Sequence, residues 1–306
     1  MNNKYGWALL LIVIIIGTLF LTGRGYTVIA NKRIGVVLLT REHQFFRELE
    51  AGLLNEAQKN RLKTQVSYGE YSHQRQVEII ERLISQKVDA LIIAACDSHA
   101  IGEVIVKANQ AAIPVFTVDI ANLSGKGKVI AHIASDNFEG GRQAGQLMVK
   151  ALKGEGKVVI INHPNITSCI DRVNGFREYL RKYTGIQIVA DIPAWGQRSR
   201  AMSIMEDLLL MMPDLKGVFA INDDSALGAV RAIDAANMAG KIKVIGYDAT
   251  PEGRKAIENG KIYGDVVQYP EAIGRLAIKT VKEYFEGKPV RSFIPVQVGI
   301  YSKQNR

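Results

Sequence analysis

Residues 218–233 read VFAINDDSALGAVRAI. Val218 to Ile221 form an uninterrupted apolar run, Asn222, Asp223 and Asp224 follow without a spacer, and a segment of helical periodicity starts at once. A continuous apolar run suits a strand covered on both faces, the setting of a parallel sheet. Polar residues at the carboxyl end of such a strand sit over the crevice where open α/β sheets bind ligands, beside helix N-termini with free backbone N–H groups. Two jobs are open at this place. Asp223 or Asp224 can cap the following helix, and Asn222 can contact a ligand.

The same grammar runs through the chain. Six further apolar runs, RIGVVLLT (33–40), VDALIIAA (88–95), IPVFTVD (113–119), GKVVIINH (156–163), IQIVADIPA (186–194) and IKVIGYD (242–248), alternate with helical stretches. In the first of these, Phe46, Leu49, Leu53 and Ala57 recur at three- and four-residue steps and define one apolar face. Phe45, one position round, does not share it. The alternation predicts a doubly wound α/β fold. One sheet does not comfortably hold so many strands. The reading is two parallel-sheet lobes, with a break near HIASDNFEGGRQAG (132–145) and a final segment, GKPVRSFIPVQVGIY (287–301), threading back between them.

Bulk composition narrows the function. Of 306 residues, 47% are hydrophobic and 23% charged, and the net charge is +9. The basic residues are interleaved with acidic ones, so a solvated surface accounts for the charge better than a nucleic-acid face does. Cys96 and Cys169 form no CxxC pair and read as two small hydrophobes, with pairing between them left open. The five histidines show no metal-ligand spacing, so neither a metal nor a cofactor is expected. The stretch YGWALLLIVIIIGTLFLTG (5–23) carries no charge, between Lys4 and Arg24. Its length suits a short membrane-spanning helix better than the apolar core of a signal peptide. Residues 1–31 are therefore expected to be a signal-anchor, with a cleaved signal peptide as the other option, and the remainder to be exported to the periplasmic or extracellular face.

Polar residues close other strands as well. Asp119 ends VFTVD, and Asp248 ends VIGYD ahead of a turn and helix start. Together with FF (45–46), ANQAAIPVFTVD (108–119), HIASDN (132–137), RVNGF (172–176), VIGYDATPEG (244–253) and VVQYPEAIG (266–274), these motifs make the chain, from about residue 33 to 300, resemble the periplasmic sugar-binding proteins of ABC importers, of the ribose-binding type. The resemblance implies a type I periplasmic binding protein fold: two lobes joined by three crossing strands and closing on a sugar. The lobes would be residues 32–135 with 269–296, and 136–268 with 297–306. The crossings would fall near Ser135–Asp136, Gln268–Tyr269 and Pro295–Gln297. It further implies that Phe45 and Phe46 stack on the sugar, while Asp119, Arg172, Asn222, Asp248 and Gln268 bind its hydroxyls. The chemistry suits: carboxylates accept from paired hydroxyls, an Arg fork donates in a plane, and Asn and Gln do both.

The chain also departs from the pattern. His43 and Ala94 stand where ribose-binding relatives have Asn, Ile120 where they have Arg, and Gly196, with Trp195 beside it, where they have an aromatic. A hydroxyl left unpaired in a closed cleft costs ~1–3 kcal/mol. A deoxygenated, bulkier or less polar carbohydrate-like ligand is expected, with Trp195 stacking on it and His43 in contact. An enzyme is not expected, for GxSxG, a P-loop and a GxGxxG after a strand are absent; GKGKV (125–129) and GEGKV (154–158) are turns before strands. Nor is a DNA-binding repressor of the related fold, since apolar sequence occupies the place of a helix-turn-helix. The expected partners are a small sugar-like ligand and an ABC permease, with the chain itself monomeric; the alternative is a receptor that presents its bound ligand to a membrane sensor kinase or chemoreceptor.

Overall fold

A computed structural model describes residues 29–303, so the expected anchor over residues 5–23 lies outside the described residues. Twelve strands are present among those described: β1 (Arg33–Leu38), β2 (Lys63–Tyr68), β3 (Ala90–Ile93), β4 (Val115–Val118), β5 (Ala131–Ser135), β6 (Gly156–Asn162), β7 (Ile186–Pro193), β8 (Leu215–Ala220), β9 (Lys243–Asp248), β10 (Gly264–Val267), β11 (Phe293–Val296) and β12 (Gly299–Ser302). The helices are α1 (Gln44–Lys59), α2 (His73–Ser85), α3 (Gly102–Gln110), α4 (Asn137–Leu152), α5 (Thr167–Leu180), α6 (Arg198–Met211), α7 (Asp223–Ala235), α8 (Pro251–Glu258) and α9 (Pro270–Phe285). No described helix is long and apolar enough to cross a membrane.

The strands form two six-stranded sheets, ordered β11-β5-β4-β3-β1-β2 and β12-β10-β9-β8-β6-β7. Every pairing is parallel except β12 on β10. Both sheets carry the doubly wound 2-1-3-4-5 order, once as β2-β1-β3-β4-β5 and once as β7-β6-β8-β9-β10. The order reverses between β1 and β3 in one sheet and between β6 and β8 in the other, and there a crevice opens at the carboxyl ends. The seven apolar runs become β1, β3, β4, β6, β7, β8 and β9. β3 and β4 are buried along their whole length, as strands covered on both faces must be.

The chain passes between the sheets three times. After β5 it enters α4, which packs on α5 and on β9 of the second sheet. After β10 it returns through α9, which packs on α1, β4 and β5. The last segment is two strands rather than one: β11 pairs with β5, and β12 pairs with β10.

Helix packing places the residues that matter later. A Cβ on Gly141 would overlap the carbonyl oxygen of Arg172, and one on Gly175 the carbonyl of Phe138, so bare glycines let α4 and α5 touch backbone to backbone. Gly141 serves this contact, beyond marking the start of a new unit. Gly141→Ala is expected to lower stability by about 1–3 kcal/mol and to weaken ligand binding, because α5 must retreat with Arg172 on it. An unchanged urea midpoint would mean that the two helices part freely.

Candidate ligand-binding cleft

The two crevices face each other and enclose a cavity of about 440 Å³, its open mouth included. All nine candidates line it: His43, Phe45, Phe46, Asp119, Arg172, Trp195, Asn222, Asp248 and Gln268. They arrive from the ends of β1, β4, β7, β8, β9 and β10, and from α5. The lobes are closed on one another. The Ala121 N–H donates to Thr167 Oγ1 at 2.7 Å, the Thr167 N–H to Ser98 Oγ at 3.1 Å, and the Ser98 N–H to the Asn165 carbonyl at 3.1 Å.

The stretch 222–224 divides its work differently from the sequence expectation. The strand ends at Ala220 and the helix starts at Asp223, so Asn222, not Asp223 or Asp224, is the cap. Its Oδ1 accepts from the Ser225 N–H at 3.0 Å, which turns Nδ2 toward the cavity, where it donates to the Gly196 carbonyl at 3.2 Å. One amide thus caps and faces the cleft. Asp224 pairs with Arg198 at 2.8 Å at the rim. Asp223 is turned inward, its Oδ2 accepting from the Thr250 N–H and hydroxyl at 2.6 Å each.

His43 caps α1: its Nδ1 accepts from the Phe45 N–H at 3.4 Å. Its Nε2 reaches across the cleft to Asn222 Nδ2 at 3.2 Å, with Asp224 at 3.5 Å and Asp248 at 3.7 Å. Phe45 and Phe46 meet edge to face at 5.2 Å, both nearly buried, and both reach the cavity because they lie in the first turn of α1. Asp119, Trp195 and Asp248 have φ of 58°, 58° and 111°. Strained backbone of this kind costs on the order of 1–3 kcal/mol per residue and persists where surrounding structure holds it. Here it turns strand-end side chains over the crevice.

Arg172 organises the floor. Its Nε donates to Asn137 Oδ1 at 2.9 Å and its Nη1 to the Ile221 carbonyl at 2.8 Å, with the guanidinium 3.9 Å from the centre of the Tyr247 ring. Asp248 lies 3.9 Å from Nη1 and accepts from Gln268 Nε2 at 2.6 Å. Burial pushes the Asp119 carboxyl up to about 6 against the pull of Arg172, with Asp248 adding to the rise. Asp248 is raised too, burial outweighing His43 and Arg172. Burial pushes the Cys169 thiol up to about 12, so it stays protonated and inert at neutral pH. Cys96 and Cys169 are both free and buried.

Ala94 and Ile120 are fully buried and do not line the cavity. Four polar or aromatic lining residues have no counterpart in the sequence reading as ligand contacts: Tyr71, His163, Ser168 and Cys169. His163 packs edge to face on Trp195 at 5.4 Å and follows β6 directly, so the strand-end rule that flags Asp119 applies to it equally.

Residues 34–289 match the family described as the periplasmic binding protein domain. The chain belongs to that family. It is 33% identical over 276 residues to the ribose import binding protein of Salmonella typhimurium, covering 90% of this chain and 92% of that protein. A family structure, an ABC transporter solute binding protein from Agrobacterium vitis bound with α-D-tagatopyranose, superposes with a TM-score of 0.85 at 26% identity, over 89% of this chain and 95% of the other. The fructose-binding periplasmic domain of a hybrid two-component system superposes with a TM-score of 0.84 at 26% identity, over 89% and 91%.

Proposed function

We propose that this chain is the solute-binding component of an ABC importer and captures a sugar-like molecule between its lobes without chemical change. The observation that carries the reading is the cleft itself. Carboxylates, an arginine, two amides and four aromatics from both lobes converge on one cavity, a donor and acceptor set suited to hydroxyls and ring faces. The ribose, tagatose and fructose named for similar proteins support the ligand class. The jaws are residues 32–135 with 269–296, and 136–268 with 297–306, and the ligand favours the closed form because only there do both jaws touch it. The apolar stretch 5–23 tethers the monomeric receptor to the membrane. A second reading, presentation of the ligand to a sensor kinase, is favoured by the likeness to a domain of a two-component system. Neighbouring genes discriminate: a permease and ATPase indicate uptake, a kinase signalling.

A thermal-shift screen of the full chain against pentoses, hexoses, deoxysugars, amino sugars and polyols tests the reading. A ligand at 100 times its dissociation constant adds ~2.7 kcal/mol and raises the melting temperature by several degrees. Silence across the panel defeats the carbohydrate reading. Asp119→Ala is expected to lower affinity for the hit by about 100-fold or more, since hydrogen bonds to a charged group contribute ~1.5–3 kcal/mol each. The same variant is expected to keep its fold, because it removes a buried carboxylate rather than a packed side chain; calorimetry and circular dichroism report the two effects separately.

A further inference from the structure

We propose that the ligand carries a protonated amine, and that its ammonium group lies against Asp119 on the first lobe's side of the cleft. This rests on the carbohydrate reading and narrows it to amino sugars.

The unsatisfied atoms point one way. Among the described residues, the buried side-chain atoms that line the cavity and lack a hydrogen-bond partner are Asp119 Oδ1, Asp248 Oδ2 and Gln268 Oε1, all acceptors. A complementary ligand brings donors to all three.

Charge then separates a hydroxyl from an ammonium. Asp119 and Asp248 are both more than nine-tenths buried and face one guanidinium, Arg172, which already spends Nε on Asn137 and Nη1 on the Ile221 carbonyl. Asp248 has further compensation in the Gln268 amide at 2.6 Å and the His43 ring at 3.7 Å. Asp224, at the rim, has Arg198 at 2.8 Å. Asp119 has no such partner, and the next residue, Ile120, is apolar and fully buried. The uncompensated negative charge of the cleft is therefore concentrated at Asp119. A hydroxyl would donate one hydrogen bond and leave that charge buried; an ammonium supplies three donors and the countercharge together. Charge-assisted hydrogen bonds are also roughly twice as strong as neutral ones. Phe45, Phe46 and Trp195 remain available for the C–H faces of the ring.

The test is titration calorimetry on the full-length chain, in a mild non-ionic detergent at pH 7, with D-glucose, D-glucosamine and N-acetyl-D-glucosamine and with the corresponding galactose series. In at least one series the free amine is expected to bind about tenfold or more tightly than both neutral counterparts. In Asp119→Asn this ratio collapses to within about threefold. Because burial holds the Asp119 carboxyl near about 6, wild-type affinity for the amine rises between pH 5 and 7, which needs no variant to fold. A neutral sugar that binds as well as its amine in both series, or an amine affinity flat across that range, overturns the inference and leaves the carbohydrate reading standing. If every one of these sugars fails while a neutral pentose, deoxysugar or polyol of the thermal-shift panel binds, the inference falls and the carbohydrate reading stands; if that panel is silent as well, both fall.

Discussion

With Arg172 replaced by alanine, the chain is expected to lose measurable sugar binding and about 3–5 kcal/mol of stability, the usual cost of removing one partner from a buried charged network. The residue is 4% exposed and serves five neighbours at once. Its removal strips the donors from Asn137 Oδ1 and the Ile221 carbonyl, uncovers the Tyr247 ring, and takes away the guanidinium opposite Asp119 and Asp248. Those carboxylates, already raised by burial, rise further and meet a ligand hydroxyl as neutral acids. Arg172→Lys separates the two roles. A lysine keeps the charge but has no planar fork to reach Asn137 and Ile221 together, so part of the stability returns and less of the affinity. Urea denaturation and calorimetry on the two variants decide the matter. An Arg172→Ala chain with a wild-type midpoint would show that the network is dispensable to the fold.

The sequence made the centre of the molecule legible and its edges less so. Six of the seven strands read from apolar runs announce themselves because both their faces are covered; β7, at a sheet edge, is buried only at alternate residues and shows through its Ile and Val content. β2 does not: it is an edge strand, Lys63–Tyr68, alternating and only half buried, and it reads as loop. Missing it hides Tyr71, which follows it into the cavity. β10 is four residues long and begins Gly264-Asp265, too short for periodicity to speak. Asp119, Asn222 and Asp248 stand out because polar residues closing buried strands have few other reasons to be there; Phe45, Phe46, Arg172 and Gln268 come from the family resemblance, and His43 and Trp195 from the places where the chain departs from it. The contacts among them are non-local. Nothing in the sequence orders His43 to cap one helix and reach Asp248 across the cleft, or sets Ser98 against Thr167 to latch the lobes.

Asp265→Asn is expected to stabilise the protein at pH 8 by on the order of 2–4 kcal/mol. Asp265 is fully buried on β10, and neither of its carboxyl oxygens has a listening donor among the described side chains. It abuts Asp223, which is almost as buried; a Cβ on Gly246, between them, would overlap Asp265 Oδ1 and lie 3.2 Å from Asp223 Oδ1. Burial raises both carboxyls, Asp265 and Asp248 add to the rise at Asp223, and Asp248 adds to the rise at Asp265, so that Asp265 is pushed up to about 7 and Asp223 well above its ordinary value. Both are raised relative to the unfolded chain, so the stability they contribute is fully present below pH ~4 and is lost as pH rises through about 7. This is opposite to the acid loss expected of carboxylates held in ion pairs. An amide at 265 carries no charge at any pH and can donate to Asp223, so the variant escapes the loss. Its advantage should grow from near zero at pH 4.5 to its full size at pH 8, read as the difference between the urea midpoints of variant and wild type, in which the pH dependence of every other group cancels. An advantage that shrinks as pH rises would mean that the folded chain holds this pair ionised, and that the cleft's second lobe rests on a charged floor.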